Sequence, residues 1–112
     1  METDAAPVGL PYVRAVGPHG ERLDDVTVYL VDRDLPGISM DDLAAAQQRA
    51  ISTASEFRAA GKPISYIRST FVPGESHCMC LFDSSEAAIV AELNDVAKIP
   101  YTRITEALDL TP

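Results

Sequence analysis

The sequence predicts a single α+β domain, and three observations support this. Four stretches rich in β-branched or alternating apolar residues are separated by two stretches with helical periodicity. The second and third apolar stretches are joined by only four residues, PGES at 73–76, which predicts a hairpin. The resulting order is β-α-β-β-α-β, which is typical of two interlocked β-α-β units. We therefore expect a ferredoxin-like fold, with a four-stranded antiparallel sheet and both helices on one face.

The first half of this pattern is one strand followed by one helix. VTVYLV at residues 26–31 is β-branched and apolar on both faces, which predicts a central strand. A helix is then predicted from Ser39, a good N-cap residue, down to Gly61, a residue type that commonly follows helix ends. Its buried positions recur at helical spacing and are Leu43, Ala46, Ala50, Ala54 and Phe57.

The second half is a hairpin, a helix and a last strand. The hairpin strands are ISYIRSTFV at residues 64–72 and HCMCLFD at residues 77–83. Ser84 or Ser85 is expected to cap the second helix. The buried stripe of that helix is predicted as Ile89, Val90, Leu93 and Val96. TRITEALDL at residues 102–110 is the predicted last strand.

Composition limits the possible partners and location. Residues 1–25 are rich in proline, glycine and charge, which predicts an N-terminal arm before a domain at residues 26–112. The net charge of −8 argues against a nucleic-acid partner and against an anionic membrane surface. No apolar run approaches the roughly 20 residues that a membrane span needs. With two cysteines and no recognisable signal peptide, the expected location is the cytoplasm.

The hairpin pairing sorts its side chains onto two faces. With PGES as a four-residue loop, Phe71 faces Cys78 and Ser69 faces Cys80. The more apolar set is expected in the helix-covered core and comprises Ile67, Ser69, Phe71, Cys78, Cys80 and Phe82. The mixed set is expected on the open face and comprises Tyr66, Arg68, Thr70, Val72, His77, Met79, Leu81 and Asp83. The cysteines are thus predicted to pack as small hydrophobic residues, and a soft-metal or redox pair is the alternative.

Polar residues in or next to the predicted strands supply the candidate site residues. Arg68 lies in mid-strand between apolar neighbours, so it must be paired or face a pocket. Its candidate ion-pair partners are Asp32, Asp83 and Glu106. Tyrosines with an apolar body and a hydroxyl end suit a pocket wall as well as an interface. The predicted ligand-binding residues are Tyr29, Tyr66, Arg68 and Glu106, and the predicted metal ligand is His77.

Three motifs resemble a known family. They are YLVDR at residues 29–33, FVPGESHCMCLFD at residues 71–83 and IPYTRITEAL at residues 99–108. The pattern is similar to that of small bacterial proteins, common in actinobacteria, that are called nickel-binding proteins after a characterised member. The positions that fit are Tyr29, Arg33, Cys78, Cys80, Asp83, Pro100, Arg103 and Glu106. The resemblance implies a ferredoxin-like fold, dimers and nickel binding.

The chain departs from this family at one place that matters for the metal. Some members carry adjacent histidines early in the first strand, where this chain has Thr27 and Val28. Only His19 and His77 remain as imidazole ligands, and imidazole is a usual ligand for nickel.

These observations lead to three functional hypotheses. The first is a small cytosolic binding protein that holds a divalent metal such as nickel, or a small ligand, near the open sheet face of a homodimer. The second is a dimeric α+β-barrel enzyme of isomerase or oxygenase type, in which Arg68 binds an anion and His77 or Glu106 moves a proton. The third is an interaction module without a pocket. A homodimer is expected because VTVYLV is apolar on both faces and a two-layer domain covers only one of them. The alternative is that the N-terminal arm covers part of this face with Leu10, Tyr12, Val13 and Val16.

Overall fold

A computed structural model of the chain describes residues 26–112. The predicted N-terminal arm, residues 1–25, lies outside the described residues. The elements are β1 (Thr27–Asp34), α1 (Met40–Ala59), β2 (Ile64–Val72), β3 (His77–Ser84), α2 (Ala87–Ala97) and β4 (Arg103–Ala107). The strand order is β2-β3-β1-β4, and every neighbouring pair is antiparallel. The predicted ferredoxin-like fold is confirmed. Neither helix of the described part is long and apolar enough to cross a membrane.

The core lies between the two helices and one face of the sheet. Val31 and Phe82 are completely buried in the sheet layer, and Val90 and Leu93 are completely buried on α2. The α1 residues in this core are small, namely Ala46, Ala50 and Ala54. Short side chains let a helix approach a sheet closely, but they also leave space wherever the opposing side chains do not fill it.

The predicted ends of α1 are confirmed. The Ser39 side chain accepts a hydrogen bond from the backbone N–H of Asp42 at 3.1 Å, and Asp41 and Asp42 occupy the first turn. Gly61 follows the helix with a φ of +87°, a conformation that glycine adopts without strain.

The start of α2 differs from the prediction. Glu86 is its N-cap and makes no side-chain capping bond. Ser84 ends β3 instead, where its hydroxyl donates to the carbonyl of Pro63 at 2.7 Å. Val96, predicted to be buried, is 55% exposed, while Asn94 is fully buried and its amide donates to the carbonyl of Val90 at 2.9 Å.

Strand β1 continues three residues beyond its predicted end. Asp32, Arg33 and Asp34 pair with Met79, Cys78 and His77 of β3. Because side chains alternate along a strand, Arg33 shares the helix-covered face with Val31 and Cys78. Asp32 and Asp34 share the open face with His77.

The hairpin register is confirmed up to a β-bulge. Val72 pairs with His77, Phe71 with Cys78 and Ser69 with Cys80, as predicted. The register shifts between Tyr66 and Arg68, so that Tyr66 pairs with Phe82. An extra residue at a bulge reverses the alternation of side chains, so the strand residues before the bulge lie on the face opposite to the one predicted from the hairpin loop. The prediction that Tyr66 lies on the open face is therefore wrong.

The open face carries an apolar patch that neither helix covers. Val28 and Leu30 of β1 and Met79 and Leu81 of β3 are only partly buried within one chain. A homodimer stays a prediction, and a second copy packed on this patch would remove it from water.

The dimer can be tested by light scattering after size-exclusion chromatography. We expect a wild-type dimer at micromolar concentration and a shift to monomer in Met79→Asp, because a carboxylate would be buried without a partner. The control is Val96→Asp, which places the same charge on an exposed position of α2. A monomeric wild-type protein would exclude the dimer.

Candidate functional site

A pocket opens on the helix-covered side of the sheet, between α1 and the strands. Its volume is about 210 Å³. Helix α1 lines it with apolar side chains, among them Leu43, Ala46 and Ala50, and with the amide of Gln47. The strands line it with Arg33, Tyr66, Ser69, Phe71, Cys78 and Cys80. We call this cavity the α1 pocket. It exists because the alanines of α1 are too short to fill the space above these strand residues.

Arg33 is the most unusual residue of the α1 pocket. It is only 2% exposed although it carries a full positive charge. Its Nη1 atom donates to the carbonyl of Pro100 at 3.2 Å. Its Nε and Nη2 atoms are buried and have no hydrogen-bond partner among residues 26–112. Leaving donor atoms of a buried guanidinium without acceptors is costly, so this edge of Arg33 is suited to an anionic acceptor.

The two cysteines lie together beside Arg33. Cys78 and Cys80 are free, and they are 2% and 7% exposed, as predicted for core residues. Their sulfurs are 3.8 Å apart. The hydrogen bond from the Cys78 thiol, aided by the Arg33 charge and the Ser69 hydroxyl, lowers the pKa of Cys80 to about 6, although burial opposes this shift. The same hydrogen bond, together with burial, raises the pKa of Cys78. Near neutral pH the pair therefore holds one thiol and one thiolate.

A chain of hydrogen bonds leads from α1 to this thiolate. The Gln47 amide donates to the Tyr66 hydroxyl at 2.8 Å, and that hydroxyl lies 2.6 Å from the Ser69 hydroxyl. Ser69 donates to the Cys80 sulfur at 2.9 Å. In each of these three hydrogen bonds the donor can be the group farther from Cys80, so that the chain ends with a donor pointing at the negatively charged sulfur. Tyr66, one of the residues predicted to bind a ligand, thus lines the α1 pocket. The pocket lies on the helix-covered face of the sheet, whereas Tyr66 was predicted to lie on the open face.

His77 lies on the open face between two carboxylates. Its Nδ1 is 3.0 Å from Asp34 Oδ1 and its Nε2 is 3.0 Å from Asp32 Oδ1. The hydrogen bonds to Asp34 and then to Asp32 raise the pKa of His77. Arg103 adds a contact of 3.3 Å to the other oxygen of Asp32. Both ring nitrogens can donate to these carboxylates only when the ring is protonated, which is why the arrangement favours the imidazolium form.

The other predicted site residues do not meet at one place. Arg68 forms an ion pair with Asp109 rather than with any of the three partners predicted for it. Tyr29 is buried in the core, and Glu106 is exposed opposite it on the edge strand β4. Arg68 is paired with Leu81, four residues along β3 from His77, which is roughly 13 Å along a strand. The structure therefore does not bring Arg68 and His77 together.

The described residues do not form a metal site. Within residues 26–112, no group of three or more His, Cys, Asp and Glu side chains is arranged to hold a metal ion. Asp32, Asp34 and His77 have suitable chemistry for nickel. However, the carboxylates approach different ring nitrogens, and a single ion cannot bind both. Cys78 and Cys80 supply two donors, whereas protein sites for such metals usually use three or four. Nickel does not fit these residues as they are arranged.

Comparison with known proteins supports both the family and the fold. A family model described as "Nickel responsive protein SCO4226-like" matches residues 29–107, which is more than half of the chain. The crystal structure of SCO4226 from Streptomyces coelicolor A3(2) matches with a TM-score of 0.64 at 16% identity, covering 75% of this chain and 99% of that chain. No curated protein matches the sequence. The family match includes the strand residues of the α1 pocket.

The ion pairs of His77 predict a pH-dependent contribution to stability. Since the pKa of His77 is raised in the folded state, its contribution is fully present below the unfolded value of about 6.5 and is lost as pH rises through the folded value. We expect His77→Gln to lower the melting temperature near pH 6 and to change it little near pH 9. Lys62→Gln, which removes an exposed ion pair that contains no histidine, is the control. A difference for His77→Gln that is constant with pH would contradict the ion pairing.

The thiol pair predicts one titration in the mildly acidic range. Following the ultraviolet absorbance of thiolate, we expect one group to ionise near pH 6 in the wild-type protein, because Cys80 has a pKa of about 6. Cys80→Ala should remove this step, and Cys78→Ala should move it upward, since the main hydrogen bond to the thiolate is lost. The double alanine variant supplies the tyrosine background. A wild-type protein with no thiolate below pH 8 would show that the coupling is absent.

Proposed function

Since this chain belongs to the SCO4226-like family of nickel-responsive proteins, we propose that it is a small binding protein whose ligand occupies the α1 pocket. The observation that carries this proposal is the buried guanidinium of Arg33, which lines the pocket with two donor atoms unpartnered in the described part of the chain. Folded proteins seldom leave buried donor atoms without an acceptor. A ligand that enters the pocket would supply the missing partner.

The walls of the α1 pocket support a small molecule as the ligand. Leu43, Ala46, Ala50 and Phe71 offer apolar contact, while the polar groups are few and lie mostly on the strand side. Apolar walls with a few placed polar groups are typical of small-molecule sites. Met40, also part of the lining, is 69% exposed, and its flexible side chain suits the mouth of a pocket.

The alternatives have weaker support from the geometry. A metal ion, including nickel, lacks a converging donor set within the described residues. The enzyme hypothesis needed Arg68 close to His77 or Glu106, yet Arg68 is paired with Asp109 and His77 with Asp32 and Asp34. The presence of a pocket argues against a plain interaction module. A homodimer through the open face is compatible with this proposal, because the α1 pocket lies on the other face.

The pocket can be tested with small probes and nuclear magnetic resonance. We expect millimolar benzoate or benzyl alcohol to shift the amide signals of Ala46, Ser69 and Cys80 in the full chain, and to leave those of Glu56 and Val96 unchanged. Ala46→Leu should abolish the shifts, because the larger side chain fills the cavity.

Ala45→Leu is the matched control, since it adds the same volume on the exposed side of α1. It should keep the response to both probes. If neither probe shifts the pocket signals of the wild-type protein, the α1 pocket is not a ligand site and the proposed function fails.

A further inference from the structure

We infer that the α1 pocket selects a small organic anion, with one carboxylate or similar group bound by Arg33 and an apolar body packed beneath α1. This inference rests on the proposed function and adds the chemical class of the ligand. The geometry of Arg33, the lining of the pocket and its volume each support it.

The two unpartnered nitrogen atoms of Arg33 are arranged to bind a carboxylate. Its Nη1 is held by the carbonyl of Pro100, which fixes the plane of the guanidinium. The two atoms without partners among the described residues, Nε and Nη2, lie along one edge of that plane. Their N–H bonds run side by side, and this edge binds both oxygens of a carboxylate in parallel. A neutral ligand would satisfy these donors less well, because charge-assisted hydrogen bonds are stronger.

The α1 pocket carries an uncompensated positive charge when Cys80 is protonated, because the Cys80 thiolate otherwise balances Arg33. The titratable groups that line it are Arg33, Tyr66, Cys78 and Cys80, and α1 contributes none. Cys80 is the group that competes for the positive charge, since Arg33 helps to stabilise its thiolate. An entering carboxylate would place a second negative charge near that sulfur. The anion should therefore bind more tightly when Cys80 is protonated.

The volume of the pocket limits the size of the apolar body. An engineered protein cavity of about 150 Å³ binds benzene. The α1 pocket, at about 210 Å³, has room for a benzene ring with a short acidic substituent or for a short aliphatic acid. Its apolar lining on α1 argues against a fully hydrated inorganic anion.

The selection can be measured by titration calorimetry on the full-length protein. The probes are benzoate, phenylacetate and hexanoate, each paired with its neutral amide. We expect at least one acid to bind about tenfold or more tightly than its amide, the margin typical of a charge-assisted hydrogen bond. Arg33→Gln should reduce this ratio to about one, whereas Arg68→Gln, which removes the same charge outside the pocket, should leave it unchanged.

Two further measurements keep the test independent of the folding of Arg33→Gln. In the wild-type protein, the affinity for the acid should rise by several fold from pH 8 to pH 5.5, and Cys80→Ala should bind tightly at both values. The comparison of acid with amide in the wild-type protein decides the selection without any variant.

The outcomes separate the two proposals. If amides bind as tightly as their acids, the α1 pocket is a ligand site but the anion selection is wrong. If no acid or amide binds, the proposed function fails and this inference fails with it. An acid preference that persists in a folded Arg33→Gln variant would assign the anion to another residue and overturn the role of Arg33.

Discussion

The antiparallel register between β1 and β3 decides what each face of the sheet contains. Arg33 opposite Cys78 lies under α1, while Asp34 opposite His77 lies on the open face. A slip of one residue along β1 would exchange these faces. It would bury the carboxylates of Asp32 and Asp34 in the core and move Arg33 into solvent. Both the α1 pocket and the histidine cluster therefore depend on this single pairing, which is fixed in part by the buried Val31 and Phe82.

The same register separates a satisfied group of charges from an unsatisfied one. On the open face, both ring nitrogens of His77 meet a carboxylate, and Arg103 meets the remaining oxygen of Asp32. On the helix-covered face, Arg33 has one backbone acceptor and a shared influence on the Cys80 thiolate. The charged groups around His77 all have partners, so they are accounted for by a structural role. The buried guanidinium of Arg33 has donor atoms without acceptors among the described residues, and for this reason the α1 pocket is the better candidate for a ligand site.

Local signals in the sequence predicted the fold but not the site. The ends of α1 and the pairing of the hairpin follow from capping residues and loop length, which act over a few residues. The predicted first strand ends at Val31, so Arg33 was expected just after the strand and not on its core face. Only its long-range pairing with β3 makes it a strand residue, although continuing the alternation from Tyr29 and Val31 would have placed Arg33 on the core face. The β-bulge that turns Tyr66 inward has no comparable signature in the sequence.

Family membership accounts for the fold of this chain, whereas the ligand depends on the chemistry of the side chains that are present. The shared fold at 16% identity shows that the architecture tolerates extensive substitution, so a ligand set need not persist with it. A metal ion would have to displace a proton and a facing carboxylate from a ring nitrogen of His77, since Asp34 and Asp32 already meet both nitrogens. Arg33 is the opposite case, because its charge is permanent and its free edge can only donate. The chemistry within residues 26–112 therefore favours an anion over a cation as the ligand of this protein.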